Sequence, residues 1–372
     1  MKKFRLAFIL PSLRGGGAER VILTLTRLLA ESGYAVDLVL VRSTGAFKTE
    51  VSPKVSVVDL EHSRAIFSLV SLVRYFWRSA PDVVLPSLPH ITIITLLADL
   101  FCKKKAIVLP IEHNTLSALM RHSKSIKQSL LPALMRVTYP MANKVVCVSY
   151  GVKEDLKDML RLPDQKLTVI YNPVNVNCLT ELCAQSAIHP WLSSPPTPIL
   201  LAAGRLTFAK GFDVLIDAMA VVNTHSNARL IILGEGPEEK NLHRQIDQMG
   251  LSECVSIPGF TNNPYPFFKH ASLFVLSSRW EGLPTVLIEA IACGAQVVST
   301  DCPSGPREIL GPDADHRLVP VGDHEALASK IIDALNGRLS DSKDIHLEQF
   351  TESFAQRAYH DLIREQRDLS HD

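Results

Sequence analysis

Ala271-Ser272-Leu273-Phe274-Val275-Leu276-Ser277-Ser278-Arg279-Trp280-Glu281-Gly282-Leu283-Pro284-Thr285-Val286-Leu287-Ile288-Glu289-Ala290 reads as a strand, a loop and a helix. The continuous apolar run over 271–276 is the pattern of a buried parallel strand. Gly282 and Pro284 turn the chain, and Thr285 is expected to cap an apolar helix running to Gly294. Glu281 then stands on the loop at a strand's carboxyl end, where open α/β sheets bind ligands. Glu289 falls about one turn into the helix, on an otherwise apolar stretch. A carboxylate there is costly to bury without a polar partner, and ribose hydroxyls would be suitable ones. The plainer alternative is two surface glutamates; the Gly-Leu-Pro turn between them argues against it.

Outward from this unit, two series of strand–helix units appear. The first starts with a strand over 4–10, the loop Pro11–Gly17 and a helix from Ala18 to about Ser32. Further strands are expected at 35–41, 55–60, 82–86, 106–111 and 144–149. The second series has strands at 199–203, 229–233, 255–257, 273–276 and 296–300, and a last helix runs from Glu348 to about Arg367. Alternating strands and helices mean parallel sheets covered on both faces. The expected architecture is α/β, with two facing Rossmann-like domains and a cleft between them. Residues 1–172 form the first domain, 173–198 a Pro/Ser-rich linker region, and 199–347 the second. The helix over 348–372 closes the chain, crossing back to the first domain.

The 372 residues, 47% of them hydrophobic, suffice for two such cores. Seven cysteines show no C-x-x-C pair and no His/Cys metal spacing, and read as reduced core thiols of a cytoplasmic protein. Met1-Lys2-Lys3 leads directly into the first strand, so no signal peptide is expected. No apolar run reaches the roughly 20 residues that span a bilayer.

A net charge of +1 conceals an asymmetry. Residues 1–172 hold 24 Lys/Arg against 13 Asp/Glu, a net of +11, while the remainder holds 15 against 25, a net of −10. One domain therefore faces something anionic. The basic residues are not interleaved with aromatics in any nucleic-acid motif, so an anionic membrane surface is the better partner and nucleic acid is not expected.

Glycine-bearing loops mark the ligand side. Gly15-Gly16-Gly17 precedes a helix and aims backbone amides and the helix dipole outward, although a plain tight turn is the other reading. The spacing is not G-x-G-x-x-G, which argues against a nicotinamide dinucleotide. Gly204-Arg205-Leu206, Gly234-Glu235-Gly236-Pro237 and Pro258-Gly259-Phe260 all follow strands of the second domain, and Lys210-Gly211 opens a helix there. Arg205 and Lys210 can converge on one anion, as a diphosphate needs. Together these loops describe a nucleotide pocket.

In this order and spacing the chain resembles the family-four retaining glycosyltransferases of GT-B fold. The matching stretches are Gly15-Gly16-Gly17-Ala18-Glu19-Arg20, Glu112-His113-Asn114, Ser149-Tyr150-Gly151-Val152, Asn172-Pro173-Val174, Gly204-Arg205-Leu206 with Lys210-Gly211, Gly234-Glu235-Gly236-Pro237, and the Glu281/Glu289 pair. The string over 299–308 resembles the subgroup that builds polyprenyl-linked or lipopolysaccharide glycans from UDP-sugars. The resemblance implies that Arg205 and Lys210 hold the donor diphosphate and neutralise it as the nucleotide leaves. Glu289 would bind the ribose, and Glu281 with Gly282 and Leu283 the transferred sugar, beside Pro284. Gly204, Gly234, Glu235, Gly259 and Phe260 would line the donor pocket. Gly16 and Gly17 would approach the phosphates from the opposite domain, and His113 would face the sugar across the cleft.

On the same basis no protein nucleophile is expected, so Glu281 and Glu289 are not read as a glycosidase pair. The departing phosphate helps deprotonate the acceptor. No metal and no cofactor are expected, the UDP-sugar being the donor substrate and the two cations doing a metal's work.

The stretch 119–141 interleaves Arg121, His122, Lys124, Lys127 and Arg136 with Leu119, Met120, Ile126, Leu130, Leu131, Leu134, Met135 and Val137. This basic amphipathic pattern, interrupted by Pro132, suits an interfacial helix, while an ordinary surface helix is the bland alternative. The expectation is a retaining hexosyl- or N-acetylhexosaminyltransferase, peripheral on the cytoplasmic face of the membrane, with a glycan or polyprenyl-diphosphate-linked acceptor. The rivals are a sugar-nucleotide epimerase or phosphorylase of the same architecture, or an inactive nucleotide-sugar-binding subunit. A phosphorylase would need a cofactor lysine that nothing marks. An idle copy would have no reason to keep His113, Arg205, Lys210, Glu281 and Glu289.

Overall fold

The computed structural model describes residues 4–121, 130–176, 182–185, 189–193, 197–339 and 345–369. The chain divides into two compact units, Met1–Pro173 with Gln349–Asp372, and Val174–Glu348. The described residues of the stretch over 174–198 therefore count with the second unit. Each unit is built on a parallel sheet.

In the first unit, β1 (Arg5–Leu10), β2 (Ala35–Leu40), β3 (Val55–Asp59), β4 (Val83–Pro86) and β5 (Ile107–Val108) lie in the order β3-β2-β1-β4-β5. Every neighbouring pair is parallel. Leu6 to Leu10 are buried to 1% exposure or less, as continuous apolar strands between two helical layers must be. A smaller parallel sheet joins β6 (Ile111–Glu112), β7 (Val145–Cys147) and β8 (Leu167–Val169).

The single strand expected over 106–111 is thus two, in different sheets. Pro110 interrupts it: lacking an N–H it cannot extend a ladder, and only its carbonyl is used, accepting from Val146 N at 2.8 Å. The helix Glu352–Leu369 belongs to this unit and buries Ala355, Tyr359, Leu362 and Ile363, one face at helical spacing. Arg27 Nη2 meets Glu352 Oε1 at 2.6 Å and Gln356 Nε2 donates to Leu28 O at 3.0 Å, fixing it on the helix Gly17–Glu31. The return of the chain is marked by Phe350 edge-on to Tyr171, centroids 4.8 Å apart.

In the second unit, β9 (Ile199–Ala203), β10 (Arg229–Leu233), β11 (Val255–Gly259), β12 (Leu273–Leu276), β13 (Val297–Thr300) and β14 (Leu318–Val319) follow the order β11-β10-β9-β12-β13-β14. All pairings are parallel. The strand read from the opening stretch is β12, buried throughout, each side chain contributing roughly 1.5–3 kcal/mol relative to exposure. Thr285 is the first helical residue of Thr285–Ala292 and not its cap; Pro284 precedes it and no side chain caps the helix. Pro284, with φ −76° and no side-chain acceptor, takes the capping position and leads the chain into the helix.

Candidate active site

The order β10-β9-β12-β13 reverses direction between β9 and β12, so the carboxyl ends of these two strands bracket the switch point of the sheet. Beyond β9 come Gly204, the exposed Arg205, the 3₁₀ turn Phe208–Lys210 and Gly211. Beyond β12 comes the loop with Glu281, 8% exposed. Lys210 Nζ lies 2.6 Å from Glu281 Oε1, and the same oxygen accepts from Ser278 Oγ at 2.6 Å. A carboxylate this buried needs such partners. Gly211 has φ +61°, and a Cβ there would run into the Ser277 carbonyl oxygen, so only glycine lets the two loops close. Lys210 is engaged with Glu281, whereas Arg205 stands in solvent.

Backbone hydrogen bonds tie the neighbouring strand ends together. Gly204 N donates to Leu233 O at 2.9 Å, Leu206 N to Glu235 O at 2.8 Å, and Gly234 N to Gly259 O at 2.9 Å. Gly234 is buried and Glu235 exposed. Gly259 and the half-exposed Phe260 line a pocket of about 340 Å³ together with Gln185, Thr261 and Asn263. Sequence reasoning missed Gln185, which lies in the stretch read as linker, and no pattern there announces it.

The turn that grips Glu281 is itself braced. Gly282, Leu283 and Pro284 are buried. Ser304 Oγ donates to Gly282 O at 2.7 Å, and Gly305 (φ +96°) leaves room for the Pro284 ring where a Cβ would otherwise stand. Ser278 and Ser304, the two hydroxyls that brace this loop, were not singled out by the sequence; short hydroxyl side chains carry no periodicity to betray them. Glu289 is partly buried on the helix Thr285–Ala292, as expected.

In the first unit, His113 follows β6 and is 8% exposed, and neither ring nitrogen has a hydrogen-bond partner among the described residues. Burial lowers its pKa to about 4, so the imidazole is neutral at pH 7. Adjacent strand residues face opposite ways, and Glu112 turns inward to accept the Tyr139 hydroxyl proton. Burial raises its pKa to about 7, against the lowering by that hydrogen bond. Gly16 caps the helix Gly17–Glu31 by backbone alone, and a Cβ there would meet the Glu19 carboxylate; Gly17 has open space at its Cβ.

Of the amphipathic stretch, Arg121 lies in the helix Leu116–Arg121, Lys124 and Lys127 lie outside the described residues, and the helix Leu131–Thr138 has Pro132 in its first turn. Proline is tolerated there because a helix's first N–H groups have no partner anyway. Arg136 is exposed and donates from Nε to Met159 O at 2.9 Å. Among the described residues no group of three or more His, Cys, Asp and Glu is placed to hold a metal. One Asp-x-Asp string exists, Asp313-Ala314-Asp315, with Asp315 paired to Arg307 at 2.7 Å.

The family model for glycosyl transferases group 1 matches residues 187–356, and that for Glycosyltransferase Family 4 matches 15–177. The chain belongs to the family-four glycosyltransferases. This transferase is 29% identical over 334 residues to the Campylobacter jejuni N-acetylgalactosamine-N,N'-diacetylbacillosaminyl-diphospho-undecaprenol 4-alpha-N-acetylgalactosaminyltransferase, covering 87% of this chain and 88% of that one. It is 27% identical over 353 residues to the amylovoran biosynthesis glycosyltransferase AmsD of Erwinia amylovora, covering 92% and 90%. Its fold matches Anabaena Alr3699/HepE, a structure with UDP and glucose, at a TM-score of 0.81 and 19% identity, over 97% of this chain and all of that one. The fold is GT-B.

Proposed function

We propose that this transferase moves a hexose or N-acetylhexosamine from a UDP-sugar to a glycan acceptor carried on a polyprenyl diphosphate, with retention and without a metal or cofactor. The observation that carries the reading is the Lys210–Glu281 contact of 2.6 Å at the switch point. A cation for a leaving diphosphate and a carboxylate for sugar hydroxyls are held within one bond of each other. Arg205 on the same loop adds a second, always-charged donor for the phosphates. Glu289 takes the ribose, and the pocket beside Gly259 and Phe260 takes the base. Neutral His113, with unpartnered ring nitrogens, is suited to a hydrogen bond with the transferred sugar. The nucleotide phosphate accepts the acceptor's proton as it departs. The curated Campylobacter relative is named for an undecaprenol-linked substrate, which supports the acceptor class.

Work on such an acceptor favours peripheral attachment to the inner face of the membrane. The first unit's charge is one support. The other is a stripe of exposed apolar side chains, Ile66, Val70 and Trp77, at helical spacing with Arg74 between them. Phe101 is also exposed, and its carbonyl accepts from Trp77 Nε1 at 3.3 Å. Among the described residues no helix is long and apolar enough to cross a membrane.

The test is incubation with a panel of UDP-sugars and polyprenyl-diphosphate-linked glycans, reading UDP release and the product's anomeric configuration, with and without chelator. Acceptor-dependent UDP release with an α-product from an α-donor in chelator is expected. An inverted product, or activity that returns only with Mg²⁺ or Mn²⁺, contradicts the corresponding part.

A further inference from the structure

Three successive carbonyls of the turn that carries Lys210 are each held by the loop that carries Glu281. Arg279 Nη1 donates to Phe208 O at 2.8 Å, Arg279 N to Ala209 O at 2.7 Å, and Ser277 Oγ to Lys210 O at 2.8 Å. The Arg279 guanidinium also forms paired bonds with Asp213, Nη1–Oδ1 and Nη2–Oδ2 both 2.7 Å, at the start of the helix Phe212–Val222. Its plane lies over the Phe208 ring, 3.9 Å from the centroid. One side chain thus grips a carboxylate, a carbonyl and a ring on both sides of Lys210.

A three-residue 3₁₀ turn has little internal hydrogen bonding to set its shape. The shape of Phe208–Lys210 is therefore imposed from outside. We propose that Arg279 is a positioning residue for sugar transfer: its clamp on this turn sets where the Lys210 ammonium stands relative to Glu281. The inference rests on the reading of Lys210 as the cation for the diphosphate. An ordinary exposed ion pair would contribute little, but this one is anchored in a planar fork that only arginine offers. Lysine at 279 keeps the charge and loses the fork and the stacking. Displacing a charge by about 1 Å from its working place can cost about 100-fold in rate.

The test is a double-mutant cycle on kcat, KM and UDP affinity, with thermal unfolding followed in parallel. Arg279→Leu is expected to lower kcat by roughly 10- to 100-fold while UDP affinity changes less than about threefold, the order expected for a misplaced group. Arg279→Lys should recover little of it. In a Lys210→Ala background, Arg279→Leu should cost nothing further, because residues acting through one another are not additive. A full second loss in that background, or complete rescue by Arg279→Lys, overturns the proposal. If Arg279→Leu fails to fold, Asp213→Asn removes the anchor while leaving the arginine, and the same cycle with it decides. If Lys210→Ala alone keeps wild-type turnover, it is the diphosphate reading that falls, and the clamp's role falls with it.

Discussion

Lys210 and Glu281, 71 residues apart in the chain, place ammonium and carboxylate 2.6 Å from each other at the sheet's switch point. Neither charge is left alone: Ser278 shares the carboxylate oxygen, and the side chains are only 21% and 10% exposed. On the proposed reading, the ammonium meets the donor's phosphates and the carboxylate the hydroxyls of its sugar.

Lys210→Ala is expected to cut turnover by about 100-fold or more, the scale seen when a charge stabilising the transition state is removed. Arg205→Ala should show the same direction with a smaller effect, since its side chain is exposed. Steady-state UDP release measures both. Wild-type kcat in either variant removes that residue from the leaving-group role.

Glu289→Ala should weaken UDP binding by the worth of a hydrogen bond to a charged acceptor, about 1.5–3 kcal/mol, or roughly 10- to 100-fold in affinity. Calorimetry with UDP alone reads it, and unchanged affinity sinks the ribose assignment.

Glu112 ties stability to pH. Its folded pKa of about 7 lies above the ordinary 4.5, chiefly through burial. Between those values the folded protein keeps a proton that the unfolded chain has lost, so stability falls as pH rises through this window. Glu112→Gln keeps an acceptor for Tyr139 and has no proton to lose. The variant should therefore gain on wild type from pH 4.5 to pH 8, by up to about 3 kcal/mol. His113, lowered by burial, acts in the opposite sense and cancels in the comparison. Urea unfolding at three pH values reads the difference, and a flat one means that Glu112 titrates normally.

Membrane attachment is tested on the exposed apolar stripe. Trp77 is 66% and Phe101 63% exposed. Replacing both by Ser should release the protein from vesicles rich in anionic lipid and leave UDP affinity intact. Replacing Arg121, Lys124 and Lys127 by Ser should weaken vesicle binding and flatten its fall as salt rises, each cation contributing about 1 kcal/mol at such a surface. Sedimentation of the double variant like wild type would assign the stripe another role.

Much of the fold was legible because its signals are local. β1, β9, β10 and β12 are apolar runs closed by Gly, Pro or Ser, and strand, turn and helix follow one another within a few residues. The glycine loops and the Glu281/Glu289 unit were legible for the same reason. Three short strands were not: β8 and β14 offer too few residues for periodicity, and β6 exists as a separate strand because Pro110 breaks the run before it.

The sequence by itself determined the alternation of strands and helices, the main parallel sheet of each domain, the glycine-bearing loops and the charge split, since each is written in neighbouring residues. The tertiary structure alone decided partners. Lys210 could have paired with any nearby anion, and no pattern along the chain names the partners of Arg279. Sheet order brings the ends of β9 and β12 together, and only then do Ser277 to Arg279 reach the carbonyls of Phe208 to Lys210. A hydrogen bond requires atoms within about 3 Å, and for residues some 70 positions apart that distance is set by the packing of the whole sheet and not by any pattern along the chain.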